Sequence, residues 1–174
     1  KGRKILVYFF LIILVGSINN ISFNNIKLKK VSEVNVIGLG DNDNLILSKK
    51  IKDLNLENIF LINQQDIKNQ INSNNLVEKY NIFKKYPASI YIDIKKTKLL
   101  ARINDNNEIF FIGANGKLSK NNFSTIQLPF IFGKPKVQEF LSFKKIIDQS
   151  RFSYDEIRNL YFYSSKRWDL ELKN

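Results

Sequence analysis

The sequence predicts an α+β protein in three parts: a single transmembrane helix at the N-terminus, a small unit ordered strand-helix-helix-strand-strand, and an incomplete antiparallel β-rich unit. Three observations predict this. No charge interrupts Ile5 to Ile18. Ile90, Ile92 and Ile94 alternate with Tyr91 and Asp93, the period of a half-buried strand. Asn115-Gly116, a strong hairpin-turn signal, lies among short β-rich runs.

Lys1, Arg3 and Lys4 precede the apolar run, and the next basic residue is Lys27. That asymmetry orients a spanning helix with its N-terminus in the cytoplasm and exports the rest of the chain. Fourteen helical residues cover only about 21 Å of a hydrocarbon layer about 30 Å thick. The anchor is therefore expected to run over residues 5–23, after a basic stub at 1–4. A cleaved leader competes, because Val15-Gly16-Ser17 offers small residues near a cleavage point. Apolar side chains resume beyond it, which favours the uncleaved anchor. The chain contains no Met and opens on Lys1, and it stops at Asn174 where a strand meets a turn residue, so both ends predict a fragment.

Residues 24–30 are polar and basic and read as a tether. Val31 to Ile37 alternates as a first strand, stopped by Gly38-Leu39-Gly40. A helix is expected from about Asp43 to Leu54. A second follows Asn63 as N-cap, with Ile67 and Ile71 four apart on one face. Val77 to Lys84 and Ile90 to Ile94 are the next strands, which gives a unit over 31–102.

Over 103–174 the pattern is strand and turn. Leu99 to Ile103 and Ile109 to Ile112 flank a polar turn, and one helix is expected from about Lys136 to Gln149. Ser153 and Glu156 match a capping box. The β-rich Leu160-Tyr161-Phe162-Tyr163 outweighs it and predicts a strand that leads through Lys166 and Arg167 into Trp168 to Leu172.

The composition removes whole classes of chemistry. With no Cys and no His, the chain cannot build thiol nucleophiles, disulfides, Cys/His zinc sites or a Ser-His pair. Asp41-Asn42-Asp43-Asn44 opens like a calcium loop, but Lys52 stands where the twelfth-position Glu belongs. Gly38-Leu39-Gly40 lacks the residues that would cradle a phosphate. A formal charge of +12 suggests a polyanion partner, yet 23 of the 28 basic residues are Lys and only 5 are Arg, with Ile (25) and Asn (23) equally inflated. Arg is the residue that nucleic-acid readers favour. No catalytic residue, metal, cofactor, nucleic acid or small-molecule substrate is expected, and the function left open is binding.

Several strings, taken in order, resemble the bacterial cell-division family FtsQ, called DivIB in some lineages. They are Val34-Asn35-Val36-Ile37-Gly38, Asn58-Ile59-Phe60-Leu61-Ile62-Asn63, Lys85-Tyr86-Pro87 before Ile90-x-Ile92-x-Ile94, Ala101, Asn115-Gly116, Leu128-Pro129 with Gly133, and Trp168-x-Leu170-x-Leu172. Lys96, Leu99 and Gly113 depart from the family's pattern of an acidic residue and Pro before the Ala, and of Asp before the Asn-Gly turn. The resemblance implies a POTRA domain over 31–102 and a β domain truncated at its C-terminus. It also implies a non-enzymatic, single-pass scaffold of the division complex, held to membrane lipid by its helix, with the bulk of the chain periplasmic. Implied partners are division proteins such as FtsB and FtsL, bound by strand addition at a sheet edge. Lys166, Arg167 and Trp168 fall where the family has basic residues near that edge, so they are expected to meet acidic groups on FtsB. Two other classes stay open: an accessory module of an export or outer-membrane assembly system, and a basic polyanion binder, whose affinity should fall steeply with salt.

Overall fold

The computed structural model describes residues 2–18, 29–54, 56–120 and 127–173. Helix α1 covers Gly2–Ile18 and exposes its apolar side chains all round, from Ile5 at 69% to Val15 at 66%. No helix among the described residues is long and apolar enough to cross a membrane. This corrects the expected transmembrane helix. Its 17 residues reach about 26 Å at about 1.5 Å each, short of a layer about 30 Å thick, and Gly2, Arg3 and Lys4 take up its first turn. Lys1, residues 19–23 of the expected anchor and residues 24–28 of the tether lie outside the described residues.

The next elements are β1 (Glu33–Ile37), α2 (Asp41–Lys52), α3 (Gln64–Asn72), β2 (Val77–Lys85) and β3 (Ser89–Lys96). They form a three-stranded sheet in the order β1-β3-β2, with β1 parallel and β2 antiparallel to β3. Two helices separate β1 from its parallel neighbour, as such a crossover requires. Val34, Val36, Ile90, Ile92 and Ile94 line the sheet's inner face and bury against Leu47 and Ile51 of α2 and Ile67 and Ile71 of α3. Helix α2 has Asp41 and Asp43 in its first turn and Lys49, Lys50 and Lys52 in its last, matching both ends of the macrodipole. The Asn63 side chain caps α3 by accepting from the Gln65 N–H at 3.0 Å. Gly38 sits at φ 105°, where a Cβ would run into the Ile94 carbonyl, so the β1–α2 turn lies directly on β3.

The remaining strands are β4 (Leu99–Asp105), β5 (Glu108–Gly113), β6 (Leu118–Ser119), β7 (Phe130–Phe132), β8 (Ile157–Phe162) and β9 (Trp168–Leu172), with helix α4 (Val137–Gln149) between β7 and β8. They make a six-stranded sheet in the order β6-β5-β4-β7-β8-β9. It is mixed, where a purely antiparallel one was expected. β7 runs parallel to both β4 and β8, because α4 carries the chain across as a β-α-β unit. Phe140 and Ile147 of α4 bury against Ile103, Ile112, Ile131 and Leu160. The Ser153–Glu156 segment is a single 3-10 turn, Tyr154–Glu156, that runs straight into β8.

The two sheets share packing. Leu99 and Phe111, from β4 and β5, join the apolar core of the three-stranded sheet, and Leu128 packs against it.

A candidate interaction surface at the sheet edges

Among the described residues no group of His, Cys, Asp and Glu could hold a metal. Asp41 to Asn44 forms the first turn of α2, and the Asn44 side-chain oxygen accepts from the Leu39 N–H at 3.0 Å. A cavity of ≈ 250 Å³ between α2, the α3–β2 turn and β6 is lined by Asp43, Lys50, Asn75 and Lys120 among others.

Two open sheets have four edges, and the chain treats them differently. On β1, the Ser48 hydroxyl of α2 donates to the Val34 carbonyl at 2.6 Å. On β6, the Asn75 side-chain amide donates to the Leu118 carbonyl at 2.7 Å. These two edges therefore carry caps from within the molecule, which blunt strand pairing. Among the described residues β2 pairs with β3 alone. The Asn115 amide takes its Val77 carbonyl, and the edge from Lys79 to Lys85 has no such cap among the described residues. Among the described residues β9 pairs with β8 alone.

The open edge of β2 borders a partly apolar face. Asn35, Tyr91 and Phe83 make one row across the three strands. The Phe83 and Tyr91 rings lie 6.2 Å apart, and Phe83 is 52% exposed. Lys79 and Lys85 flank this row on the same strand. Asn35 and Ser89 hydrogen-bond the Glu33 carboxylate on this face and hold it below the usual carboxylate range.

At the β9 end of the six-stranded sheet, the residues expected to touch a partner occupy the β8–β9 turn and the start of β9. Lys166 adopts φ 63° and is solvent-exposed, its ammonium 3.9 Å from Glu139. Arg167 is engaged within the hairpin: its guanidinium pairs with Asp169 at 3.0 Å and lies 4.6 Å from the Tyr163 ring centre. The Asp169 hydrogen bond raises its already high pKa. Trp168 is half-buried, stacked on Phe143 of α4 at 4.5 Å and beside Phe162 at 4.8 Å. So Lys166 presents its charge to solvent, while Trp168 fastens the hairpin to α4. Farther along β9, Glu171 accepts from Asn159 and from the Tyr161 hydroxyl, both at 2.8 Å. These bonds, the Asn159 one foremost, depress its pKa. Arg3 and Lys4 are exposed in the first turn of α1, and Lys1 lies outside the described residues.

Sequence reasoning missed Ser48, Asn75 and Asn115 as functional residues. Their role is to close edges and join sheets, and a Ser or Asn carries no periodic signal of that. Only the Asn115-Gly116 dipeptide was visible, as a turn.

A family model described as POTRA domain, FtsQ-type, matches residues 29–96. No curated protein matches the chain. The matched span holds β1, α2, α3, β2 and β3, and POTRA domains are generally non-catalytic protein-interaction modules. Residues 29–96 are thus similar to the FtsQ-type POTRA domain, which supports the resemblance to the FtsQ/DivIB family of cell-division proteins.

Proposed function

We propose that this chain is a non-enzymatic scaffold of the bacterial division complex that binds its partners by adding their strands to its uncapped sheet edges. One observation carries the reading. Ser48 and Asn75 cap the edges at β1 and β6, while β2 beyond Val77 has no such cap among the described residues. An added strand gains main-chain hydrogen bonds along such an edge, and its alternate side chains supply specificity. On this reading the β domain, with Lys166 in the turn before β9, receives FtsB and FtsL, and the edge of β2 receives other division proteins. The globular part works at the periplasmic face of the inner membrane. The exposed apolar surface of α1 engages lipid there, since so large an apolar surface is costly in water.

The test is capture of the FtsB–FtsL pair by the purified chain across a salt series. Strand addition expects capture that depends weakly on salt. A polyanion binder would lose affinity steeply and log-linearly, and recovery of neither protein overturns the reading.

A further inference from the structure

We propose that the end of the three-stranded sheet where the chain arrives from α1 carries a second lipid contact: Phe60, Leu61 and Tyr86 enter the surface of the same phospholipid bilayer that α1 engages. The inference rests on the reading that α1 engages lipid, and it names the part of the folded domain that faces the bilayer.

Asn58 to Ile62 is an ordered turn that holds two apolar side chains outward. The Asn58 side-chain oxygen accepts from the Phe60 and Leu61 N–H groups at 3.1 and 3.2 Å. On either side, Ile59 is fully buried and Ile62 packs against the core. Between these two anchors Phe60 and Leu61 are 59% and 67% exposed. Tyr86, between β2 and β3, brings its ring centre to 5.1 Å from that of Phe60 and is exposed as well. Apolar side chains held together in water by an ordered turn are unfavourable there and mark a contact surface.

The path of the chain identifies the occupant. Lys30 bridges to Asn58, and the Val31 N–H donates to the Glu57 carbonyl at 3.2 Å, so the segment arriving from α1 enters the domain beside this turn. Residues 19–28 alone separate Ile18 from Lys29, and a chain of that length reaches at most about 40 Å. With α1 in lipid, this end of the domain is the one tied closest to the bilayer. Lys29, Lys30, Lys84 and Lys85 share it with Glu33 and Glu57, whose charges offset part of theirs. The apolar side chains therefore carry the contact more than lipid charge does. Tyr86 suits the headgroup level, where its ring meets acyl chain and its hydroxyl meets water.

The absence of cysteine from the sequence lets one label report one site. The full chain with Leu61→Cys, Ile12→Cys or Asn42→Cys, each labelled with the environment-sensitive fluorophore NBD, is reconstituted into vesicles of phosphatidylcholine with a minor share of phosphatidylglycerol. Ile12 is exposed on α1, and Asn42 is exposed in the first turn of α2, at the opposite end of the sheet. Lipid bearing a nitroxide high on its acyl chain is then added in rising proportion. The Leu61 label is expected to emit to the blue of the Asn42 label and to lose fluorescence as nitroxide lipid rises, while the Asn42 label keeps its intensity. Phe60→Ser should reduce the loss at Leu61 and leave that at Ile12 unchanged. A Leu61 label quenched no more than the Asn42 label overturns the inference whatever Ile12 reports, and leaves the patch to a protein partner. Quenching at Leu61 that Phe60→Ser does not reduce overturns it too. An unquenched Ile12 label overturns the reading of α1 by itself.

Discussion

The side-chain amide of Asn115 donates to the main-chain carbonyl of Val77 at 2.8 Å, from a turn of the six-stranded sheet to the edge strand of the three-stranded one. The same amide reaches the Asn75 carbonyl at 2.9 Å, and the Asn115 N–H donates to the Thr97 hydroxyl at 3.1 Å. Lys117 adds a bond to the Asn72 carbonyl at 2.8 Å. The turn is thus a clamp between the sheets as well as the link between β5 and β6. Asn115→Ala is expected to destabilise the chain by about 1–3 kcal/mol through two unsatisfied carbonyls, read as a lower urea midpoint. Asn115→Asp should do the same, since a carboxylate cannot donate. An unchanged midpoint in both would show that the clamp carries no energy.

Gly38 supports the opposite end of the same unit. An Ala there would hold a strained positive φ and meet the Ile94 carbonyl. Gly38→Ala should therefore cost at least about 1–3 kcal/mol, measured by thermal or urea unfolding, whereas Gly40→Ala, with open space for its Cβ, should cost less.

Lys166 and Trp168 separate partner contact from packing. Trp168→Ala removes the stack on Phe143 and is expected to lose about 2–4 kcal/mol of stability. Lys166→Glu should leave unfolding nearly unchanged, because its contact to Glu139 is long and solvent-exposed. It should nonetheless weaken capture of an acidic partner. Equal loss of stability in the two variants would contradict this division.

Glu171 makes the β8–β9 hairpin acid-sensitive. Its pKa lies below the ordinary 4.5 in the folded chain, held there by Asn159 and Tyr161. The unfolded state therefore binds a proton first as pH falls, and the stabilisation is fully present above about 4.5 and fades as pH drops through the lower folded value. Glu171→Gln should flatten the pH dependence of unfolding in that acid range. An identical slope in the variant would count against the carboxylate's role.

Much of this architecture was legible because it rests on periodicity. Ile90, Ile92 and Ile94 were placed on the buried face by alternation, and Asn63 was placed as the α3 cap by residue type and position. The parallel placement of β7 was not legible, because three residues, Phe130–Phe132, do not reveal which neighbours they pair with. The spanning helix was expected over residues 5–23, whereas no helix among the described residues is long and apolar enough to cross a membrane and residues 19–23 lie outside them. The edge caps escaped notice for a different reason. Ser48 and Asn75 act through backbone carbonyls 14 and 43 residues away, and a local pattern holds no trace of that.

The most direct test of strand addition is hydrogen–deuterium exchange of the full chain with and without the FtsB–FtsL pair. Slower exchange concentrated on backbone amides of edge strands is the expected result. Protection that appears only on helix faces, with every sheet edge unchanged, would contradict it.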